Sequence, residues 1–281
     1  MKTRYYILIF CYILISCNKI YFYPDKDLGT VKTVVLAHAG GGSCIYKINT
    51  LDAAKYGLAN MEGIEVDVQL SANSTVWLGH DSNLPACGGR SEKCFRGTTD
   101  NEIVQLDSCL GPGEDFTRLE EVFKYMAENY PYKYISLDVK SWSPCNFGDL
   151  DILSEMNTLA DGIIKLKYKY HLINVVVESQ TATFLSYLND NGFGIECYLT
   201  TWGDFERGML ITLKRKFQGI SFKYKYDEVI TADHVRMLHK KGIKIQLWTV
   251  DKPSDLEEAI SLDPDFIQTD NVGYFINVNN R

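Results

Sequence analysis

Eight short apolar runs recur along this chain with helix-forming stretches between them, and that alternation constrains the fold more than any other feature. The runs occupy residues 34–37, 64–70, 134–139, 174–177, 195–199, 219–222, 243–250 and 265–269. Residues 50–60, 119–130, 148–170, 180–191, 232–241 and 253–261 read as the intervening helices. Strands alternating with helices imply parallel pairing, and eight such units predict an α/β fold, a (β/α)8 TIM barrel with its site at the C-terminal ends of the strands. The exception is residues 81–116, which hold three cysteines and several glycine turn signals but little apolar periodicity. A long loop insertion after the second strand is expected there, beside the site.

The chain is long enough for one large domain: 281 residues, 46% hydrophobic and 23% charged, supply a sizeable core. Net charge is −7 and the basic residues form no long tract, so nothing points to a nucleic-acid partner. The short basic runs at 165–169 and 214–216 read as solvated helix ends. Lys2 and Arg4 precede an apolar stretch too short to span a bilayer comfortably, which predicts an export signal over residues 1–16. Leu14-Ile-Ser-Cys17 resembles the lipobox of bacterial lipoproteins, implying that Cys17 carries a lipid and anchors the exported protein to a membrane, facing the periplasm or the cell surface. Residues 17–30 are then a tether and 31–281 the barrel domain. In an exported protein the remaining cysteines are compatible with disulfides, and Cys87 with Cys94 is the expected pair because it closes a short loop just after His80.

Acids and bases cluster early. In the run Gly-Ile-Glu-Val-Asp-Val-Gln-Leu over 63–70, Ile64, Val66 and Val68 share one face, while Glu65 and Asp67 share the other. The pattern returns over 134–140, where Asp138 and Lys140 alternate with Leu137 and Val139. Carboxylates opposite a wholly apolar face are costly to bury, so they call for a metal, mutual pairing or solvent at a strand end. His38 closes the first apolar run and His80-Asp81 follows the second, bringing two histidines to the same region.

These residues resemble the glycerophosphodiester phosphodiesterase family, within the superfamily that includes phosphatidylinositol-specific phospholipase C and sphingomyelinase D. The resemblance rests on His38-Ala39-Gly40, Asn49-Thr50, Glu65-Val66-Asp67, His80-Asp81, Asp138-Val139-Lys140, Trp248 and Thr269-Asp270. It implies a metal-dependent phosphodiesterase that hydrolyses glycerophosphodiesters to glycerol phosphate, or a cyclic phosphate, and an alcohol. Glu65, Asp67 and Asp138 then form an all-oxygen site for Mg²⁺ or Ca²⁺, Lys140 holds a phosphate oxygen, and His38 and His80 act as acid and base. Gly40, Gly41, Glu178 and Trp248 are candidates for substrate binding. Two departures are notable: Ala39 stands where the family carries arginine, and Asp138 where it usually carries glutamate. Asp138 with Lys140, and a cysteine-closed loop after the second histidine, are closer to sphingomyelinase D. An enzyme acting on intact lipids, and a non-catalytic surface lipoprotein binding a ligand at the barrel mouth, are the alternatives.

Overall fold

A computed structural model describes residues 33–41, 45–81, 83–84, 93–106, 110, 115–140 and 152–274. Residues 1–30, with the expected signal and Cys17, lie outside this set, as does Cys87. Eight parallel strands close a barrel: β1 (Val34–Ala37), β2 (Gly63–Leu70), β6 (Tyr134–Val139), β7 (Val175–Ser179), β8 (Ile195–Thr201), β9 (Gly219–Lys223), β10 (Lys244–Trp248) and β11 (Phe266–Thr269). The order β1-β11-β10-β9-β8-β7-β6-β2 is closed by a pairing of β1 with β2. Helices α1 (Leu51–Asn60), α3 (Leu119–Asn129), α4 (Ile152–Tyr170), α5 (Ala182–Asn191), α6 (Phe205–Arg215), α7 (Ala232–Lys240) and α8 (Pro253–Ser261) follow strands around the barrel. The expected barrel is present. No described helix is long and apolar enough to cross a membrane.

Local chemistry sets the helix starts. Thr50 caps α1 by accepting from Ala53 N, Asp204 caps α6 by accepting from Arg207 N, Thr231 caps α7, and Pro253 opens α8. Helix α6 had no counterpart among the expected helices. Its apolar stripe is interrupted by the buried Gly208 and Thr212, which weakens the helical period, although the basic run at 214–216 correctly marked its end. The segment 81–116 is also less loop-like than its composition implies: it carries the ribbon of β4 (Asn83–Leu84) with β5 (Lys93–Cys94), and α2 (Asp100–Leu106). Just before it, β3 (Val76–Leu78) adds antiparallel to the far end of β2. Trp77, Leu84, Phe95 and Ile103 form a small core of their own under this excursion.

Side chains inside the barrel are stacked in layers, as strand alternation requires. The floor is apolar, with Leu36, Val176, Tyr198 and Phe266 packed together. Gly219 makes room there, since a Cβ at that position would stand 2.7 Å from the Tyr198 ring. Above the floor the interior turns polar. Glu178 accepts hydrogen bonds from Ser136 Oγ (2.8 Å), Gln246 Nε2 (2.8 Å), Gln268 Nε2 (2.6 Å) and Ser221 Oγ, so four other strands converge on one carboxylate. The mouth lies one step further along each strand.

Candidate active site

The mouth begins where β1 ends. A one-turn 3-10 segment, His38–Gly40, bends the chain away, and Ala39 adopts φ 50°, ψ 34° in the left-handed region. Gly40 has φ 91°, and a Cβ on Gly41 would lie 2.4 Å from Ala53 O, so the glycines let this turn press against α1. The Gly41 N–H is spent on His38 O. The Ala39 N–H donates to Glu65 Oε2 at 2.9 Å, and Ala39 O accepts from Asn49 N. Ala39 is buried, so the position that carries arginine in the family here contributes backbone alone.

Glu65 and Asp67 point into the barrel from β2 and are each 1% exposed. Asp138 joins them from the neighbouring strand, where the register pairs Asp67 with Asp138. One carboxylate oxygen from each residue lies within 4.8 Å of the others. Lys140 Nζ bridges Asp67 Oδ1 (2.9 Å) and Asp138 Oδ2. Asn49 holds Asp67 from the other side: its Nδ2 donates to Oδ2 at 2.7 Å while its Oδ1 accepts from Asp67 N at 3.0 Å. Asn49 has φ 58°, a left-handed conformation that asparagine tolerates better than most residues.

The electrostatics follow from this crowding. Burial raises the Glu65 pKa well above the usual carboxylate range, and the nearby Asp67 charge raises it further. Burial pushes Asp138 up to about 7 despite the attraction of Lys140. Asp67 is buried too, yet its pKa falls, because Lys140, the Asn49 hydrogen bond and His80 outweigh desolvation. Lys140 is itself raised by the two acids, against the effect of burial. A cluster of three carboxylate oxygens with one lysine is short of positive charge. Its hard oxygen donors suit a divalent cation, which would restore ionisation of Glu65 and Asp138.

His38 sits at the rim with Nδ1 donating to Asp270 Oδ1 at 2.9 Å and Nε2 turned toward Glu65 Oε2 at 3.7 Å. Burial alone would lower its pKa, but Glu65 and Asp270 outweigh it and carry the ring up to about 10. His80 lies beyond β3 with Nδ1 2.9 Å from Asp81 Oδ1, and its side chain is 52% exposed. The structure thus brings together Glu65, Asp67, Asp138, Lys140 and His38, with His80 close enough to influence Asp67. It places Glu178 one layer deeper, 2% exposed, inside its cage of hydroxyls and amides. Trp248 ends β10 on the far wall of the mouth, and its ring meets Trp202 edge to face at 5.3 Å. Asp270 and Asn49 belonged to the sequence motifs, but their service as orienting groups depends on contacts between distant segments. Cys94 is disulfide-bonded, and Cys197, the other described cysteine, is free and buried.

A closed parallel barrel with carboxylates, a lysine and histidines gathered at the C-terminal mouth has the layout of a TIM-barrel enzyme. Comparison with known proteins supplies the particular family. Residues 40–274 match the model of the glycerophosphoryl diester phosphodiesterase family, and the chain belongs to it. A glycerophosphodiester phosphodiesterase of Caldanaerobacter subterraneus subsp. tengcongensis is 24% identical, over 88% of this chain and 98% of that protein. A crystal structure of glycerophosphodiester phosphodiesterase from Thermotoga maritima superposes with TM-score 0.65 at 25% identity, covering 88% of this chain and 98% of the other. An Oleispira antarctica phosphodiesterase, solved with the product sn-glycerol-3-phosphate, shares the fold with TM-score 0.71 at 15% identity, over 88% and 97% of the two chains.

Proposed function

We propose that this enzyme hydrolyses glycerophosphodiesters to glycerol phosphate, or a cyclic phosphate, and an alcohol, and that it requires Mg²⁺ or Ca²⁺ held by Glu65, Asp67 and Asp138. The observation that carries the reading is the convergence of these three carboxylates, within 4.8 Å of one another, beside His38 and Lys140. When bound, the cation would neutralise phosphate charge as a Lewis acid. Lys140 has three N–H groups, and two are engaged by Asp67 and Asp138, which leaves one for a non-bridging phosphate oxygen. Asp270 fixes the His38 ring so that Nε2 faces the reacting centre. His38 and His80 share the proton transfers, one deprotonating the nucleophile and the other protonating the leaving alcohol.

With no serine or cysteine nucleophile paired to a base among the described mouth residues, the substrate's own hydroxyl beside the phosphate is the attacking group. Its attack is intramolecular and gains from proximity. The product of that step is a five-membered cyclic phosphate, released or opened by water. Phosphorus NMR on glycerophosphodiesters, with Mg²⁺ or Ca²⁺ and then with chelator, tests the whole reading. Cation-dependent release of the alcohol with a transient cyclic phosphate is expected. Turnover of a substrate lacking the neighbouring hydroxyl at an undiminished rate would instead assign the attack to water, and turnover unaffected by chelator would remove the metal role.

The same reading places the enzyme outside the cytoplasm, anchored through Cys17. The lipobox supports it, and so does the disulfide at Cys94, since such bonds persist in oxidising compartments. Replacement Cys17→Ser should release the protein from a carbonate-washed membrane fraction. Retention there would refute the anchor.

A further inference from the structure

The mouth has a second wall, built on the side away from the acids. β9 lies four strands from β2 whichever way the barrel is followed, so its end faces the carboxylate cluster across the opening. The last residue of β9 is Lys223, in register with Trp248 of β10. It shares the inward face of β9 with Ser221, which reaches the buried Glu178, so the Lys223 stem starts one step above that layer and rises into the mouth. Its ammonium is boxed by aromatic rings: Nζ lies 4.5 Å from the centroid of Trp202, 4.5 Å from that of Tyr226 and 5.3 Å from that of Trp248. The rings meet one another edge to face, Trp202 with Tyr226 at 76° and with Trp248 at 87°. Among the described residues no carboxylate pairs with Lys223, whereas Lys140 is bound to two. Trp248 Nε1 is buried and has no acceptor among the described residues, so the contacts seen for that indole are its ring packing against Trp202 and the ammonium.

Three aromatic faces around a cation are the arrangement that recognises quaternary ammonium groups. Here the chain's own lysine fills it. We infer that Lys223 is a specificity-determining residue that occupies an onium box from within, so that the mouth rejects choline-type head groups and takes alcohols rich in oxygen, polyols or acids, whose oxygens accept from the Lys223 ammonium. The inference rests on the proposed glycerophosphodiesterase activity, which sets the phosphate at the acid cluster, and it assigns the alcohol substituent, not the glyceryl group, to the β9 wall. A trimethylammonium group arriving there meets a positive charge on the ring faces that would otherwise hold it. A polyol meets N–H donors.

The test compares kcat/KM for glycerophosphoinositol and glycerophosphocholine in the full-length enzyme and in Lys223→Ala and Lys223→Met, together with tryptophan fluorescence during titration with tetramethylammonium. The wild type is expected to favour the inositol ester by about tenfold or more, and either variant to shift the ratio toward choline by about tenfold. Tetramethylammonium should quench the variants saturably and leave the wild type unchanged. Equal use of both esters by the wild type, an unshifted ratio in a folded variant, or equal quenching with and without Lys223 would overturn the inference. If the wild type cleaves neither ester with cation present, the parent activity is wrong, and the fluorescence titration still decides whether Lys223 fills the box. Should both variants fail to fold, the wild-type ratio and its response to tetramethylammonium decide alone.

Discussion

Single residues at the mouth are fixed by partners far away in sequence, and their substitution should separate chemistry from folding. Asp138→Asn removes one charge from the three-acid cluster while keeping its shape, so cation affinity and activity should fall together with the fold intact. Calorimetric titration of Mg²⁺ against the variant checks this, and unchanged affinity would exclude Asp138 as a ligand. Asn49 makes two hydrogen bonds to Asp67 from a left-handed backbone. Asn49→Gly should lose about 2 kcal/mol in denaturant unfolding through the lost charge-assisted bond. Asn49→Ala should lose about 1 kcal/mol more, the cost of placing a Cβ at positive φ. Equal losses in the two variants would mean that the backbone conformation carries no strain for alanine. The acids were legible in the sequence because alternation on β2 and β6 leaves them no apolar neighbour on their own face. The depth of Glu178 was not. A carboxylate ending an apolar run reads equally well as a mouth residue or an interior one, and only the hydroxyls and amides of β6, β9, β10 and β11 decide.

Elements carry their own dependencies, most clearly in the excursion between β2 and α3. Asp100 at the start of α2 accepts from Trp77 Nε1 (2.9 Å), Thr75 Oγ1 (2.5 Å) and Ser71 Oγ (2.6 Å), tying the helix to the β2–β3 turn. Burial would raise its pKa, but these donors and Arg118 lower it below the usual 3.8. A carboxylate depressed in the folded state contributes stability above its unfolded pKa and loses it as pH falls through the folded value. Asp100→Asn should therefore lower stability by about 2 kcal/mol at pH 7. The gap should close as the pH drops below 3.8. A gap that persists unchanged in acid would show that the loss is steric. In the same excursion Cys94 is oxidised, and non-reducing peptide mapping is expected to join it to Cys87. Reduction should then cost about 2–3 kcal/mol, the entropy of a short closed loop. Both α2 and the β4–β5 ribbon escaped the sequence because such short elements offer less than two periods of any pattern. Their small core around Trp77 becomes visible only when four separated apolar residues meet.

At the scale of the whole molecule, the barrel was legible because buried parallel strands read as continuous apolar runs, and eight of them leave few alternatives. What spacing cannot express is closure. Barrel closure pairs β1 with both β2 and β11, and it is the β11 side that delivers Asp270 to His38 across 232 residues of sequence. The histidine that arrives first on the growing chain waits for an acid that arrives nearly last. A nascent or clipped polypeptide lacking the final strand owns every carboxylate of the cluster and both histidines, yet leaves His38 unsteered. Any change that unseats β11 from β1 should therefore cost His38 its orienting acid while leaving the three-acid cluster in place.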